Sequence, residues 1–583
     1  MLQSADVNRR KSLQALLHLG LFTVSPFPLH LNIQTGKREE PLPKYVDVAS
    51  RAGLTARTVI VGHETKDFLL STTGGGIAVF DYDNDGWLDI FIVNGSGLYA
   101  FAKGEEPTNH LYKNNRDGTF TDVTMNANLA RSGWGQGVCV GDYNNDGFLD
   151  LFVTYYGKNV LYRNNGDGTF IDVTRESGLL QRENHWNSGA AFVDYDRDGH
   201  LDLFISNYVS YEAGLALYDS NPSLIGVQSP VLYGPKGLQG SKNLLYHNNR
   251  DGSFSDVSKA AGITTAEPTY SFTPCVADYD NDGWPDIYVA NDSTPSLLFK
   301  NNRNGTFSEV GVLAGVAVDE NGSMQGGMGV DAGDYDGDGL LDIVKTNFSD
   351  QTTSLYQNQG NGFFTDRTFQ AGVSGQTSSV KWGTSFFDLD NDGQFDILMV
   401  SGAIYPPGLS IGRAKPTGDQ GKTILYRNLG NGRFEDISAR SGPGLLAPHC
   451  SRGAAFGDMF HSGQIDIVIN NLNDTPTLLR NQSPSPNSWL LVRLVGTRTN
   501  RAAIGSRVIV EAEGRRQVQE VRSGGSFCSQ SDLRLHFGLG RAHEASRLIV
   551  KWLSGGQDIF EHVSANRLVV IQEGNGIVGQ DKF

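Results

Sequence analysis

Residues Asp81–Asp89 read DYDNDGWLD. Five of these nine positions carry a carboxylate or amide side chain: Asp81, Asp83, Asn84, Asp85 and Asp89. Like charges at this spacing repel, so the stretch requires a positive counterpart. It also returns. DYNNDGFLD starts at Asp142, DYDRDGHLD at Asp194, DYDNDGWPD at Asp278, DYDGDGLLD at Asp334 and DLDNDGQFD at Asp388. A decayed seventh copy, DMFHSGQID, starts at Asp458. The intervals between first Asp residues are 61, 52, 84, 56, 54 and 70 residues, which makes the chain a repeat array.

A second motif recurs between the loops. LYKNNRDGTFTDVT begins at Leu111, LYRNNGDGTFIDVT at Leu161 and LYHNNRDGSFSDVS at Leu245, with looser forms at Leu298, Leu355 and Leu425. Each reads as strand, Asn/Gly/Asp turn, strand, which is a hairpin. Residues 159–207 then hold four short strands, the last two joined by an Asp loop. Four strands per unit, repeated seven times over residues 40–482, predict an all-β, seven-bladed β-propeller. YVDVASRAG at Tyr45–Gly53 matches the second hairpin strand without a first, and LLRNQ at Leu478–Gln482 matches the first without a second. Their pairing would fasten the ring and remove two open sheet edges.

SPSPNS at Ser483–Ser488 interrupts the pattern. Beyond it WLLVRLVG, GSRVIVEAEG, LRLHFGLG, RLIVKWLSGG and RLVVIQEG alternate or run apolar between glycine turns, predicting a small separate β domain over 483–583. At the other end, Arg9, Arg10 and Lys11 precede an apolar run from Leu13 to Val24. That run is too short to cross a membrane and suits an export signal within a leader and linker of residues 1–39. The Arg pair loosely matches a twin-arginine signal, although His18 interrupts the run and no A-x-A site follows. The expected location is periplasmic, cell-surface or extracellular, with no integral membrane segment and a monomeric state.

Asp at loop positions 1, 3, 5 and 9, with Gly at 6, is the donor pattern of a hard cation such as Ca²⁺, which takes six to eight oxygens in flexible geometry. About six structural Ca²⁺ sites are therefore expected. Their ligands would be Asp81, Asp83, Asp85 and Asp89; Asp142, Asn144, Asp146 and Asp150; Asp194, Asp196, Asp198 and Asp202; Asp278, Asp280, Asp282 and Asp286; Asp334, Asp336, Asp338 and Asp342; and Asp388, Asp390, Asp392 and Asp396. Position 7 varies (Trp87, Phe148, His200, Trp284, Leu340, Gln394), as expected if only its carbonyl serves. Position 2 is Tyr in five copies and is expected to pack the loop against its own blade. Ile92, Val153 and Ile205 stand where an EF-hand needs its bidentate Glu, so these are not EF-hands. Phe460 and Ser462 replace two Asp residues in the seventh copy, which should bind nothing. An Asx turn explains one Asp and one Gly but not this repeated convergence. Six divalent ions would set twelve positive charges against a formal −16, leaving −4. The same acidity argues against a nucleic-acid partner.

Other residues carry weaker signals. Cys139 and Cys275 sit where other repeats have Ala, and Cys450 and Cys528 show no ligand spacing. Trp134, Trp186 and Tyr270 each lie eight residues before a first Asp, as a channel-mouth binding set or as packing. The longest inter-strand segments, 208–242 and 402–423, are expected to carry recognition. In the first, Tyr208, Tyr211, Tyr218 and Tyr233 are candidate contacts. No Ser/His/Asp or Cys/His motif stands out, and His185 is the one histidine singled out for mutation.

The Asp loops resemble the FG-GAP/VCBS-type repeats of integrin α-subunit propellers. NRAAIGSRVIVEAEG from Asn500, EVRSGGSFCSQSDLRLHFGLG from Glu520 and LIVKWLSGG from Leu548 resemble the ASPIC/UnbV domain. The pairing is similar to the cartilage acidic protein family, whose members are mostly secreted. That resemblance implies a calcium-binding module for adhesion or for a protein or polysaccharide ligand. The UnbV name, drawn from natural-product clusters, implies the alternative of a tailoring or cyclisation enzyme with structural calcium. SGAIYP at Ser401–Pro406 departs from the family's NGHxYP by losing its His, and YGPKGL at Tyr233–Leu238 is similar to a family insertion.

Overall fold

The computed structural model describes residues 42–60, 69–96, 106–214, 235–402, 404, 421–483 and 485–582. The leader, Tyr218, Tyr233 and the larger parts of 208–242 and 402–423 lie outside the described residues. Pro41–Phe583 forms one compact unit.

Residues 45–481 build seven four-stranded antiparallel units, five of them separate sheets and two joined into one eight-stranded sheet where His185 and Trp186 pair with Gly157 and Tyr156. Blade 2 is representative, with strands Gly135–Gly141, Asp150–Gly157, Val160–Asn164 and Phe170–Asp172. Its first two strands are buried throughout, whereas the outermost shows Phe170 inward and Ile171 and Asp172 outward. Small residues in the first strand permit the close approach the ring demands; a Cβ on Gly137 would lie 2.7 Å from Cys528 Cβ. The first strands of successive blades pack side by side from blade 1 to blade 7, and that of blade 7 packs on that of blade 1. Closure follows the expected route. Tyr45–Asp47 pairs antiparallel with Thr477–Asn481, Tyr45 opposite Asn481 and Asp47 opposite Leu479.

One hairpin residue stitches the blades together. Asn164 Nδ2 donates to Tyr82 O of the preceding blade at 2.7 Å. Asn248, Asn301, Asn358, Asn428 and Asn481 repeat this to Tyr143, Tyr195, Tyr279, Tyr335 and Leu389, at 2.7–2.9 Å. The position-2 tyrosines do more than expected. Tyr82 meets Phe170 of the next blade, with ring centroids 6.2 Å apart, and Tyr143, Tyr195, Tyr279 and Tyr335 meet Phe254, Phe307, Phe364 and Phe434 in the same way. They weld blade to blade as well as loop to blade: Tyr279 Oη also donates to Cys275 O of its own blade at 3.2 Å, and Tyr195 meets His247 of its own hairpin.

The C-terminal domain holds two four-stranded sheets. One runs Leu535–Gly540, Ser488–Val495, Arg567–Gln572, Gly576–Asp581; the other runs Arg515–Glu520, Arg507–Ala512, Glu544–Lys551, Gln557–Ser564. Val492, Val508, Val510, Phe537, Leu548 and Val569 share one core between them. Three of the eight strands escaped the sequence reading, because RRQVQE, QDIFEHVS and GIVGQD are largely exposed and polar.

The domain is not separate in packing. Residues 522–532 leave Arg515–Glu520 and enter the ring, touching the first strand of every blade. Val79 N donates to Gln530 O at 3.0 Å, Val138 N to Cys528 O at 3.0 Å and Val330 N to Ser526 O at 2.7 Å. Ser523 Oγ donates to Val140 O, Phe192 N donates to Ser523 Oγ, and Gly524 bridges Cys275. Phe527 lies 4.8 Å, ring to ring, from Trp382 of blade 6, and Asp532 N donates to Phe456 O of blade 7. The protein's own chain enters the propeller axis, beside a cavity lined by Asp331, Ser385, Phe456, Gly524 and Gln530.

Candidate metal centre

The four loop carboxylates do two different jobs. Position 1 folds the loop: Asp81 Oδ1 accepts from Asp85 N and Oδ2 from Gly86 N, both at 2.9 Å. Position 9 anchors it: Asp89 Oδ2 accepts from Tyr82 N at 3.2 Å and Oδ1 from Asn114 N at 2.8 Å. The seventh loop keeps both arrangements with Asp458 and Asp466 while lacking Asp at positions 3 and 5. Positions 1 and 9 are thus needed by the backbone whether or not an ion binds. Gly86, at φ +93, makes the turn that any side chain would strain.

Positions 3 and 5 make fewer backbone hydrogen bonds. One oxygen of Asp85 accepts from Trp87 N at 2.9 Å, and the position-3 carboxylates take no comparable pair of backbone bonds. Ligand oxygens of Asp81, Asp83 and Asp85 lie within 4.8 Å of one another, as do those of Asp194, Asp196 and Asp198, of Asp278, Asp280 and Asp282, and of Asp334, Asp336 and Asp342. Asp83 Oδ1 and Asp196 Oδ1 are buried without a hydrogen-bond partner. Orphaned, converging oxygen donors fit a hard divalent ion. Three of the carboxylates named from sequence thus converge in each of loops 1, 3, 4 and 5, whereas in loop 2 Asn144 Nδ2 is turned to Asp146 Oδ2 at 2.8 Å.

A feature that sequence reasoning missed is a cation supplied by the hairpin. Lys113 bonds Asp83, Lys300 reaches Asp280 at 2.5 Å, and Arg427 reaches Asp390 at 2.6 Å. His247 approaches Asp196 at 3.5 Å. At position 5, Arg116, Arg250 and Arg303 reach Asp85, Asp198 and Asp282 at 2.8, 2.7 and 2.6 Å. Loop 5 has Gln357 and Gly360 at the corresponding hairpin positions, and Arg367 reaches Asp336 only through Gln357. In loop 7 Arg480 instead lies over Phe460, 4.3 Å from the ring centre. The signal lay in the third letter of LYK, LYR, LYH and LFK.

Burial sets the electrostatics. It pushes Asp81 and Asp278 up to about 6, Asp142 and Asp334 to about 7 and Asp194 to about 8, against backbone N–H donors that favour the charged form. Asp89, Asp150, Asp286, Asp342 and Asp396 are also raised well above the usual carboxylate range, burial again leading. Asp85 is half-buried, which raises it, yet Arg116 and Trp87 N–H bring it below the usual carboxylate range. Such loops hold an excess of negative charge that a bound cation would relieve.

Position 4 is the second missed element. It has positive φ in all seven loops, at Asn84, Asn145, Arg197, Asn281, Gly337, Asn391 and His461. Its side chain reaches the next loop: Asn84 Nδ2 donates to Gly147 O at 3.0 Å, Asn145 to Gly199 O at 2.9 Å and Asn391 to Gly463 O at 2.8 Å. Position 7 receives it. His461 stacks on Trp87 at 3.6 Å and Arg197 lies over Trp284 at 4.9 Å. The varied side chains at position 7 therefore have contacts of their own, beyond the carbonyl expected of them.

The loop face also carries the C-terminal domain. Arg534 Nη1 donates to Gly86 O at 3.2 Å, Arg501 N to Asn145 Oδ1 at 2.8 Å and Arg507 Nη2 to Asp278 O at 2.9 Å. Arg197 Nε donates to Leu553 O at 2.7 Å, Gly540 N to Asn391 O at 2.9 Å and His536 Nε2 to Gly463 O at 3.1 Å.

The candidate ligand contacts fare differently. Trp186 is fully buried, its indole N–H donating to Gln136 at 3.2 Å amid Tyr156 and Tyr208. It is packing. Trp134 and Tyr270 are half-buried at the edge of the same cluster, with Tyr270 Oη donating to Leu238 O at 2.9 Å. Tyr208 is buried and donates to Asp292 at 2.6 Å; Tyr211 stacks on Tyr156. His185 opens the first strand of blade 3 opposite Gly157, its pKa lowered by burial. All four cysteines are buried free thiols.

Comparison with known proteins agrees with this architecture. The FG-GAP-like repeat model matches residues 81–153, 142–205, 231–289 and 278–345, and the ASPIC and UnbV model matches 496–578. Cartilage acidic protein 1 of Mus musculus is 24% identical over 498 residues, covering 82% of this chain and 70% of that protein. The Homo sapiens protein is 24% identical over 371 residues, covering 63% and 50%. Among solved structures, an Agrocybe aegerita lectin described as recognising non-reducing terminal N-acetylglucosamine shows 17% identity and a TM-score of 0.38, over 75% of this chain and 96% of its own. The Dos1 propeller shows 8% identity and a TM-score of 0.36, over 70% and 93%. The chain is an FG-GAP-like repeat protein with a C-terminal ASPIC and UnbV domain, homologous at modest identity to cartilage acidic protein 1.

Proposed function

We propose that the protein is an exported, calcium-stabilised interaction module that binds a protein or polysaccharide. The observation that carries the calcium reading is the division of labour within each loop. Positions 1 and 9 accept from backbone N–H groups, while at position 3 Asp83 Oδ1 and Asp196 Oδ1 are buried without a hydrogen-bond partner and converge with the position-1 and position-5 carboxylates of their loops. Ca²⁺ there would supply positive charge and cross-link strands; the residues themselves shape the cage. The interaction reading rests on the pairing of an FG-GAP-like propeller with an ASPIC and UnbV domain, and on the chain that enters the axis. With residues 522–532 inside the ring, a partner meets a surface rather than an open axial channel. Export is supported by the leader pattern at Arg9–Val24.

A pull-down from envelope and spent medium tests this, using calcium-loaded protein beside an EDTA-treated control. Recovery of one macromolecule only with calcium supports the reading. Depletion or alteration of a small metabolite, with no macromolecule recovered, would replace it with the enzyme alternative.

A further inference from the structure

We propose that the Asp-loop face is a metal-dependent receptor for the chain's own C-terminal domain, so that ion binding in the loops holds residues 522–532 inside the ring. This rests on the calcium reading above and extends it to what the ions control. Each loop has two sides. Carboxylates face the cage, while backbone carbonyls of the same residues face the domain: Asp278 O accepts from Arg507, Asp390 O from Ser485 and Asn487 at 2.9 and 3.0 Å, and Asp392 O from Arg515 at 2.5 Å. The carbonyls of Gly86 and Gly463, at position 6, receive Arg534 and His536. A nine-residue turn whose carboxylates repel one another cannot hold those carbonyls in place as well as one gathered around a cation.

The domain depends on many such points. Among the described residues, six of the seven loops make a direct hydrogen bond with it, and loop 5 faces it across clefts lined by Gly337, Gly339, Arg515 and Arg516. The inserted segment lacks a run of its own apolar side chains; it reads RSGGSFCSQSD, with Phe527 as its large anchor. Its hold is therefore hydrogen bonding to strand edges, which requires the domain to stay seated. Ring closure uses different chemistry, the pairing of Tyr45–Asp47 with Thr477–Asn481, and is not routed through the domain.

Hydrogen exchange on the full chain, with and without EGTA, tests this when bound calcium is counted in the same samples. Chelation is expected to lower protection of peptides spanning 522–532 at least ten-fold while peptides spanning 45–47 and 477–481 keep theirs. If calcium is bound and then removed with no change in 522–532, the coupling is overturned and the calcium reading stands. Simultaneous loss of both regions also overturns it, since release would then be global unfolding. If no calcium is bound at the outset, the calcium reading itself fails and takes the coupling with it.

Discussion

Asn114 Nδ2 donates to the carbonyl of Met459 at 2.9 Å, joining the first blade of the ring to the last. The same amide donates to Leu88 O at 3.1 Å within its own blade. Both carbonyls are buried with it, so the side chain satisfies groups that water cannot reach. Asn114→Ala is expected to cost about 1–3 kcal/mol in urea unfolding, the usual penalty for orphaning a buried polar group. An unchanged midpoint would show that the ring does not depend on this stitch.

Loop positions should separate by role. Asp336→Ala with Asp338→Ala removes two metal donors and should lower bound calcium by one ion per chain. Asp458→Asn lies in a loop without Asp at positions 3 and 5; it should leave the ion count alone yet destabilise, because its oxygens accept from Ser462 N and Gly463 N at 2.8 and 2.7 Å. Equal ion loss from both variants would contradict the division.

The hairpin cations should set a rank order. Lys300 and Arg303 already pair directly with Asp280 and Asp282, whereas in loop 5 Arg367 reaches Asp336 only through Gln357. Loop 5 is therefore expected to bind calcium most tightly. Lys300→Met with Arg303→Gln should tighten loop 4 roughly ten-fold, about 1.4 kcal/mol, and weaken the metal-free protein. Isothermal titration of wild type and variant reads the difference; weaker binding in the variant would show that the cations help to build the cage.

Much of this was legible because the signals are local. A glycine at position 6 and an Asn/Gly turn in each hairpin depend on a few adjacent residues, and seven copies average out the exceptions. Cut hairpins at Tyr45 and Leu478 betrayed the closure. What escaped were contacts between elements far apart in sequence. Asn84 looks like a turn residue until the carbonyl of Gly147 lies beside it. The segment RSGGSFCSQSD reads as a surface loop, because its partners are the edges of seven strands that only the closed ring brings together. Trp186 showed the reverse: its recurrence before a first Asp marked packing, not a binding surface.

Glu573 predicts how the C-terminal domain responds to acid. Its carboxylate is buried but accepts from Ser554 Oγ at 2.5 Å and from the N–H groups of Thr497, Arg498 and Thr499 at 2.7–2.9 Å, which lower its pKa to about 2. A carboxylate with a lowered folded pKa stabilises above its unfolded value and loses that contribution as pH falls through the folded one. Glu573→Gln should cost roughly 1–2 kcal/mol near neutrality, with solvent screening allowed for. The gap from wild type should narrow between about pH 4.5 and 2. Thermal unfolding of both proteins across that range checks it; a constant gap would assign the effect to packing.

The most direct test is a count of calcium on purified full-length protein after equilibrium dialysis in micromolar to millimolar free Ca²⁺. The account predicts about six ions per chain, one for each loop with Asp or Asn at position 3 and Asp at position 5. A count near zero across that range would mean that the hairpin cations and backbone N–H groups alone satisfy the loops, and the calcium account would be wrong.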